Sequence, residues 1–412
     1  MFNKSAFEFE TIEDGTCALR SVMGANGKVI IPTRSPKGEL VVAINENIFD
    51  DELYYLDDED DDWNSKYSFH NVTSITIPWG VKHIDQDAFM GCECLRQIKV
   101  SKRNKTYHSS ANCLIETESK KLILGTYKSI IPDDGSVTSI GDEAFMKCRK
   151  LTSISLPTSL LSIGKEAFSG CHKLESISIP KNVNKIGYCA FSNCQALKAF
   201  YVDDENKYFK VINDCLIDST KSMIIKGLHT SVIPDDGSIK FIGDDAFSDC
   251  HSLTSITLPS SVKSIGYGAF CGCAALEKLI LNEGLEVIGG SAFSYCSLLK
   301  ELVIPGSVRF IGVSAFEGCD NLTSLTLNEG LERIDDCAFS STAIKKVIIP
   351  STVYDLGYES FSFCEHLKFV AMPDKIIDIF KDQCIDYKAE CFDKNRQGLK
   401  IEIYKTNDKS LK

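Results

Sequence analysis

An Ala-Phe pair that recurs every 23 residues constrains this chain more than any other feature. The pair ends at Phe145, Phe168 and Phe191, and again at Phe247, Phe270, Phe293, Phe316 and Phe339. It also occurs at Phe89, and Ser360-Phe361 continues the series one residue short. A fixed period in this range specifies stacked repeats, each packed mainly on its neighbours, so the array grows without forming new cores. Such an array presents a surface rather than a pocket. An ordinary globular chain of 412 residues would divide into about two to three domains, and the repeat overrides that expectation.

One clean repeat runs from Leu151 to Lys173 and reads L-x-x-I-x-L-P-x-x-L-x-x-I-G-x-x-A-F-x-x-C-x-x. Leu151, Ile154 and Leu156 have the parity of a short strand facing a core. Pro157 stops that strand because it has no N–H for a ladder. Leu160 and Ile163 point inward from a second extended or turn-like segment, and Gly164 permits a tight bend. Ala167, Phe168 and Cys171 fall at helical spacing, which predicts a turn or two of helix. A lone repeat offers too little apolar surface to offset the ordering of its backbone, so the stack needs caps at both ends.

This pattern resembles the BspA-like, treponemal-type leucine-rich repeats over roughly residues 12 to 385. The combination I-P-x-x-V-x-x-I-G-x-x-A-F-x-x-C stands nearly whole as Ile179-Pro180, Val183, Ile186-Gly187, Ala190-Phe191 and Cys194. Asn282 and Asn328 depart from it in place of the proline, and Thr342 in place of the cysteine. The resulting expectation is an α/β leucine-rich-repeat solenoid, a curved right-handed stack of short parallel strand, turn and short helix. Residues 1–50 are expected to form a β-rich cap with a degenerate first repeat, 51–71 an acidic insertion, 72–372 the repeats and 373–412 a C-terminal cap.

Two steps of the series are 56 residues long, Phe89 to Phe145 and Phe191 to Phe247. Their inserts match each other: Asn104 with Asn206, Cys113-Leu114-Ile115 with Cys215-Leu216-Ile217, Gly125 with Gly227, and Pro132-Asp133-Asp134-Gly135 with Pro234-Asp235-Asp236-Gly237. Apolar runs around a polar turn, Leu114–Glu116 and Lys121–Leu124, predict a β-hairpin.

Of 18 cysteines, nine sit three residues after a repeat phenylalanine: Cys92, Cys148, Cys171, Cys194, Cys250, Cys273, Cys296, Cys319 and Cys364. One side chain repeated at one position reads as a packing ladder of small buried hydrophobes. No C-x-x-C pair is present, so the sequence lacks a zinc-ribbon or thioredoxin motif. So many thiols favour a reducing setting. The net charge of -12 disfavours nucleic acid and anionic membrane surfaces as partners. No apolar run is long enough for a membrane span. The N-terminus, Met1-Phe2-Asn3-Lys4-Ser5, lacks a signal pattern, which implies a cytoplasmic chain or a mature form with the signal removed.

The strand faces turned away from the core are the expected ligand surface. Their candidate protein-binding residues are Tyr201, Lys278, Ile280, Glu301, Val303, Ser324, Thr326, Lys346, Ile348 and Phe369. Many outward positions are Ser or Thr, which suit any exposed sheet, and the apolar ones break that polarity. The block Asp57-Asp58-Glu59-Asp60-Asp61-Asp62 lacks the glycine and spacing of an EF-hand and reads as a solvated insertion. Cys171-His172 and Cys250-His251 place thiol beside imidazole, but sequence neighbours on a turn point different ways. Asn71-Val72-Thr73, Asn104-Lys105-Thr106 and Asn321-Leu322-Thr323 fit a glycosylation pattern that matters only on a eukaryotic secretory route. No catalytic, cofactor or metal residues are assigned.

The expectation is a monomeric, non-enzymatic scaffold for a protein or glycoprotein. What the resemblance implies is a cell-surface or secreted adhesin or antigen. An intracellular interaction module and a thiol or acidic-metal enzyme are the alternatives.

Overall fold

In a computed structural model the described residues are 7–13, 15–49, 72–89, 92–376, 391–392 and 399–405. The acidic block and most of 373–412 lie outside them. The chain forms two compact units, Met1–Tyr208 and Phe209–Lys412, which divide within the second insertion.

In the second unit each repeat contributes two parallel strands. Two-residue strands Phe241–Ile242, Ser264–Ile265, Val287–Ile288, Phe310–Ile311, Arg333–Ile334 and Asp355–Leu356 pair side by side in that order. The register is strict, with Ile265 opposite Ile288 and Ile288 opposite Ile311. The L-x-x-I-x-L segments make the other strands. Ser255–Thr257 lies beside Lys278–Ile280, Glu301–Ile304 beside Ser324–Leu327, and Lys346–Ile348, Phe369–Pro373 and Lys400–Tyr404 form a set of three. Their inward residues Ile256, Leu279, Leu302, Val347 and Val370 are buried, as strand parity requires.

The Ala-Phe segment corrects the expected helix. Described helical residues are only 374–376 and 391, and the Ala-Phe segments are turns. Two residues before the phenylalanines the backbone is left-handed, with φ 50° at Ser291, 55° at Ser314 and 54° at Cys337. A right-handed helix cannot pass through such a residue. The Phe270, Phe293 and Phe316 amides donate instead to the Ala292, Ala315 and Ala338 carbonyls of the next repeat, each at 2.8 Å. The Phe-x-x-Cys spacing that mimics a helix face is an i→i+3 turn, closed at 3.3 Å from the Cys296 amide to the Phe293 carbonyl. The α/β assignment therefore gives way to a β-solenoid.

Identical placement in successive repeats stacks the rings. Centroids of Phe247, Phe270, Phe293, Phe316, Phe339 and Phe361 succeed one another at 5.0, 5.1, 5.2, 5.3 and 5.2 Å, with interplanar angles of 2° to 11°. Phe392 adds another ring at 5.7 Å, and the Phe361 amide donates to the Cys391 carbonyl at 3.0 Å. Cys391-Phe392 thus takes the Ala-Phe place after a longer step, which hid it from the period.

The first unit is built the same way behind a β-rich edge. Phe7–Glu13 runs antiparallel to Thr16–Val22, followed in parallel by Leu40–Ile44 and His83–Ile84. The rings of Phe145, Phe168 and Phe191 stack at 5.1 and 5.8 Å. The expected hairpin is present, with Leu122 opposite Ile115, and Tyr107–Ser110 adds a third antiparallel strand. Lys121–Leu124 then pairs in parallel with Ser139–Ile140, so the insertion occupies one place in the stack. The second insertion repeats this through Phe209–Ile212, Cys215–Asp218 and Met223–Lys226.

Gly125 and Gly227 hold the ring's place in these inserted turns. Their amides donate to the Ala144 and Ala246 carbonyls at 2.7 and 2.8 Å. A Cβ at Gly125 would sit 1.9 Å from the Phe145 ring, and one at Gly227 2.0 Å from the Phe247 ring. Each ring stack therefore begins on bare backbone.

The segment 151–156 does not form the expected strand, and Ile154 and Leu156 are half-buried. The preceding turn bonds elsewhere: the Ile130 amide donates to Ala111 within the insertion at 3.1 Å.

Phe293→Ala should cost about 3–5 kcal/mol, and Gly227→Ala about 1–3 kcal/mol through the ring clash. Urea unfolding midpoints check both, and losses below about 1 kcal/mol for Phe293→Ala would contradict the stacking account.

Candidate protein-binding surface

The outward positions of the leucine-rich strands align into rows in the second unit. Register places Glu301 beside Ser324 and Val303 beside Thr326, Lys278 beside Ser255 and Ile280 beside Thr257, and Lys346 beside Phe369 and Ile348 beside Ala371. One row is polar and charged: Lys278, Glu301, Ser324 and Lys346 are exposed. The other is partly apolar, with Ile280 42% and Val303 55% exposed. Thr326 is exposed, whereas Ile348 and Phe369 are half-buried. Nine of the ten sequence-derived candidates therefore lie at outward positions of the second unit's leucine-rich strands, which pair in three separate sets. Tyr201 stands in the first unit, 59% exposed and opposite Ser178.

Three lysines on or beside these strands lie outside the parity argument. Lys345 and Lys368 are exposed one residue before their strands, and Lys400 is exposed opposite Phe369. The Lys346 and Lys400 Nζ atoms lie 5.0 and 5.7 Å from the Phe369 ring centroid. Counting the residue after each repeat's first strand aliphatic, Ile344 and Leu367, finds Lys345 and Lys368. Lys400 lies where the period has lapsed.

The repeat thiols face the other way. Cys273, Cys296 and Cys319 Sγ donate to the Phe247, Phe270 and Phe293 carbonyls of the preceding repeat at 3.3, 3.4 and 3.3 Å. Burial pushes the Cys319 and Cys148 thiols up to about 12 and raises those of Cys273 and Cys296 well above the usual thiol range. A thiol so placed is a poor nucleophile. Cys171 Sγ donates to the Phe145 carbonyl at 3.2 Å rather than to His172, and His251 Nδ1 lies 3.0 Å from the Gly272 carbonyl oxygen. None of the seventeen described cysteines forms a disulfide. Thr342, at the cysteine position, donates to the Phe339 carbonyl at 3.0 Å and touches Cys364 Sγ at 3.1 Å.

The first unit holds a small cleft of about 50 Å³ lined by Gln86, Asp87, Cys92, Glu93, Glu143 and Cys148 among others. Gln86 Nε2 donates to Glu143 Oε1 at 3.1 Å. Burial, then the neighbouring carboxyl of Asp87, raises the Glu143 carboxyl to about 7.

A family profile described as the BspA type leucine rich repeat region matches residues 64–133, 126–226, 225–320 and 288–388. The chain belongs to the BspA-type leucine-rich repeat family. Among solved structures it is similar to the pneumococcal vaccine antigen PcpA, at 20% identity and a TM-score of 0.53, over 97% of this chain and 96% of that one. It is also similar to a leucine rich cell surface protein from Faecalibacterium prausnitzii, at 25% identity and a TM-score of 0.51, over 90% and 94%. No curated protein matches the chain. Among the described residues no helix is long and apolar enough to cross a membrane.

The departure of this BspA-type chain at Asn282 has a structural reason. Asn282 Nδ2 donates to the Pro259 and Val262 carbonyls of the preceding turn at 2.7 and 3.1 Å. Asn104 does the same for Pro78 and Val81, and Asn206 for Pro180 and Val183. The asparagine ties adjacent turns together where a proline would only end a strand.

The raised Glu143 carboxyl carries a pH signature. The folded chain holds its proton to higher pH than the unfolded chain, so stability falls as pH rises from the ordinary carboxylate range through about 7. Glu143→Gln should therefore be more stable than the parent at about pH 8, with the advantage fading by about pH 4. Thermal unfolding at both pH values checks this, and an equal difference at both would contradict it.

Proposed function

We propose that this protein is a non-enzymatic scaffold that binds another macromolecule through the outward face of its leucine-rich strands. The observation that carries this reading is the pair Ile280 and Val303, aliphatic side chains 42% and 55% exposed at equivalent outward positions of successive leucine-rich strands. Exposed apolar residues rimmed by charge mark interaction surfaces. The buried, protonated thiols support a structural rather than a catalytic role for the cysteines.

The setting we favour is the cell surface or the extracellular medium, as an adhesin or antigen that engages host matrix or other cell-surface macromolecules. Its support is the family together with the cell-surface description of the Faecalibacterium relative. An intracellular interaction module is the second reading, favoured by seventeen described cysteines without a disulfide. In either setting the protein acts as a monomer on a protein or glycoprotein partner. Tyr201 serves the first unit's own strand face, and Lys278, Glu301, Ser324, Thr326, Lys346, Ile348 and Phe369 surround the apolar row.

Ile280→Asp with Val303→Asp should weaken capture of the partner by about 10-fold or more while far-UV CD stays unchanged. Unaltered affinity would remove this face as the site. Protease shaving of intact source cells decides the setting. Released peptides support the surface reading, and retention of sites that become cleavable on lysis supports the intracellular one.

A further inference from the structure

The two sheet faces of the second unit treat basic residues differently. On the short-strand sheet most are neutralised: Lys263 meets Glu286 at 3.5 Å, Arg309 meets Glu332 at 2.7 Å, and Arg333 meets Asp335 at 2.7 Å and Asp355 at 3.1 Å, while Lys240 is exposed and forms no ion pair with any described residue. On the leucine-rich strands Lys345, Lys346 and Lys368 are exposed and form no ion pair with any described residue. Lys400 has one such partner, Glu402 at 2.5 Å. These four lysines lie at the starts of three consecutive paired strands, Lys346 and Lys400 as first residues and Lys345 and Lys368 just before, the strands spaced about 4.8 Å apart. In a chain of net charge -12 with carboxylates to spare, Lys345, Lys346 and Lys368 are left without counter-charges, unlike Lys263, Arg309 and Arg333 on the opposite sheet.

The lysines are also held in place. Lys346 and Lys400 flank the Phe369 ring, at 5.0 and 5.7 Å, so cation–π attraction fixes two ammonium groups that would otherwise sweep freely. Fixing them before binding lowers the side-chain entropy lost on association. The lysine cluster meets the apolar row at the strand Lys346–Ile348, which carries a member of each. The face thus runs from aliphatic, at Ile280 and Val303, to basic, at Lys345, Lys346 and Lys368.

We propose that this strip binds an acidic polypeptide segment, with aliphatic or aromatic side chains over Ile280 and Val303 and Asp or Glu side chains over the lysines. The inference rests on the strand-face reading above and names its partner's chemistry. A polypeptide matches both halves of the strip, whereas a polyanionic glycan would satisfy the lysines and leave the aliphatic row bare.

The test selects a random peptide display library against the full chain, against Lys345→Glu/Lys346→Glu/Lys368→Glu, and against Ile280→Asp/Val303→Asp. Far-UV CD and melting temperature establish that both variants are folded. The parent should enrich peptides that combine Asp or Glu with apolar residues. Their affinity should drop about 10-fold or more in each variant and weaken as salt rises. Lysine-for-acid versions of those peptides should bind the Lys→Glu variant better than the parent. Enriched peptides that lack acidic residues, yet fail on the Ile280/Val303 variant, would overturn this proposal while leaving the strand-face reading intact. Enriched peptides indifferent to both variants would overturn the two together. Absence of enrichment, with or without retention of the parent on immobilised heparin, would also overturn it, and retention would assign the lysines to a polyanionic glycan.

Discussion

The structure depends on a match between two lengths. Parallel strands lie about 4.8 Å apart, and offset-stacked aromatic rings are comfortable at centroid separations of about 4.5–7 Å. A phenylalanine at one fixed place in every turn can therefore stack on its neighbours without stretching the strands beside it. The observed spacings in the second unit, 5.0 to 5.3 Å before the last step, are what that match requires. The alanine beside it supplies the carbonyl that receives the previous turn's amide. Ring stacking and backbone pairing thus run along the same line, and each reinforces the other.

Several sequence features follow from that line. From Phe145 onward the left-handed residue before the Ala-Phe pair turns the backbone so that its N–H and C=O groups point along the stack rather than back into a helix. The cysteine closes the turn and gives its weak thiol proton to a carbonyl one repeat back. Glycine replaces the ring where an inserted meander begins the stack, because any side chain there would occupy the first ring's volume. With the interior committed in this way, the residues free to vary are those on the outward strand positions, where recognition can be written without disturbing the stack.

Much of this was legible in the sequence, for physical reasons. Strict periodicity identifies the repeats, the buried strand residues and the cysteine ladder, since a side chain that recurs must meet its own copies. The outward candidates follow from strand parity, and nine of them stand at outward positions of the second unit's leucine-rich strands. The Ala-Phe-x-x-Cys segment misled because spacing by three is shared by helices and tight turns. Only φ separates the two, and serine, glutamate and cysteine in left-handed backbone leave no compositional mark. Phe392 and Lys400 were hidden because their repeat has a different length. Lys345 and Lys368 were hidden because exposed residues at strand entrances obey no alternation. The role of Asn282 was invisible because its partners lie one turn away in space and twenty or so residues away in sequence.

The turn column, which looks like surface loop in sequence, should unfold only together with the strands. Native-state hydrogen exchange followed by mass spectrometry tests it directly. Amides of Phe270, Phe293 and Phe316 should exchange only with global unfolding of the second unit, as slowly as the strand amides and with the same denaturant dependence. Exchange of these turn amides within seconds, while the strands stay protected, would show that the strands hold the stack and the rings merely fill it.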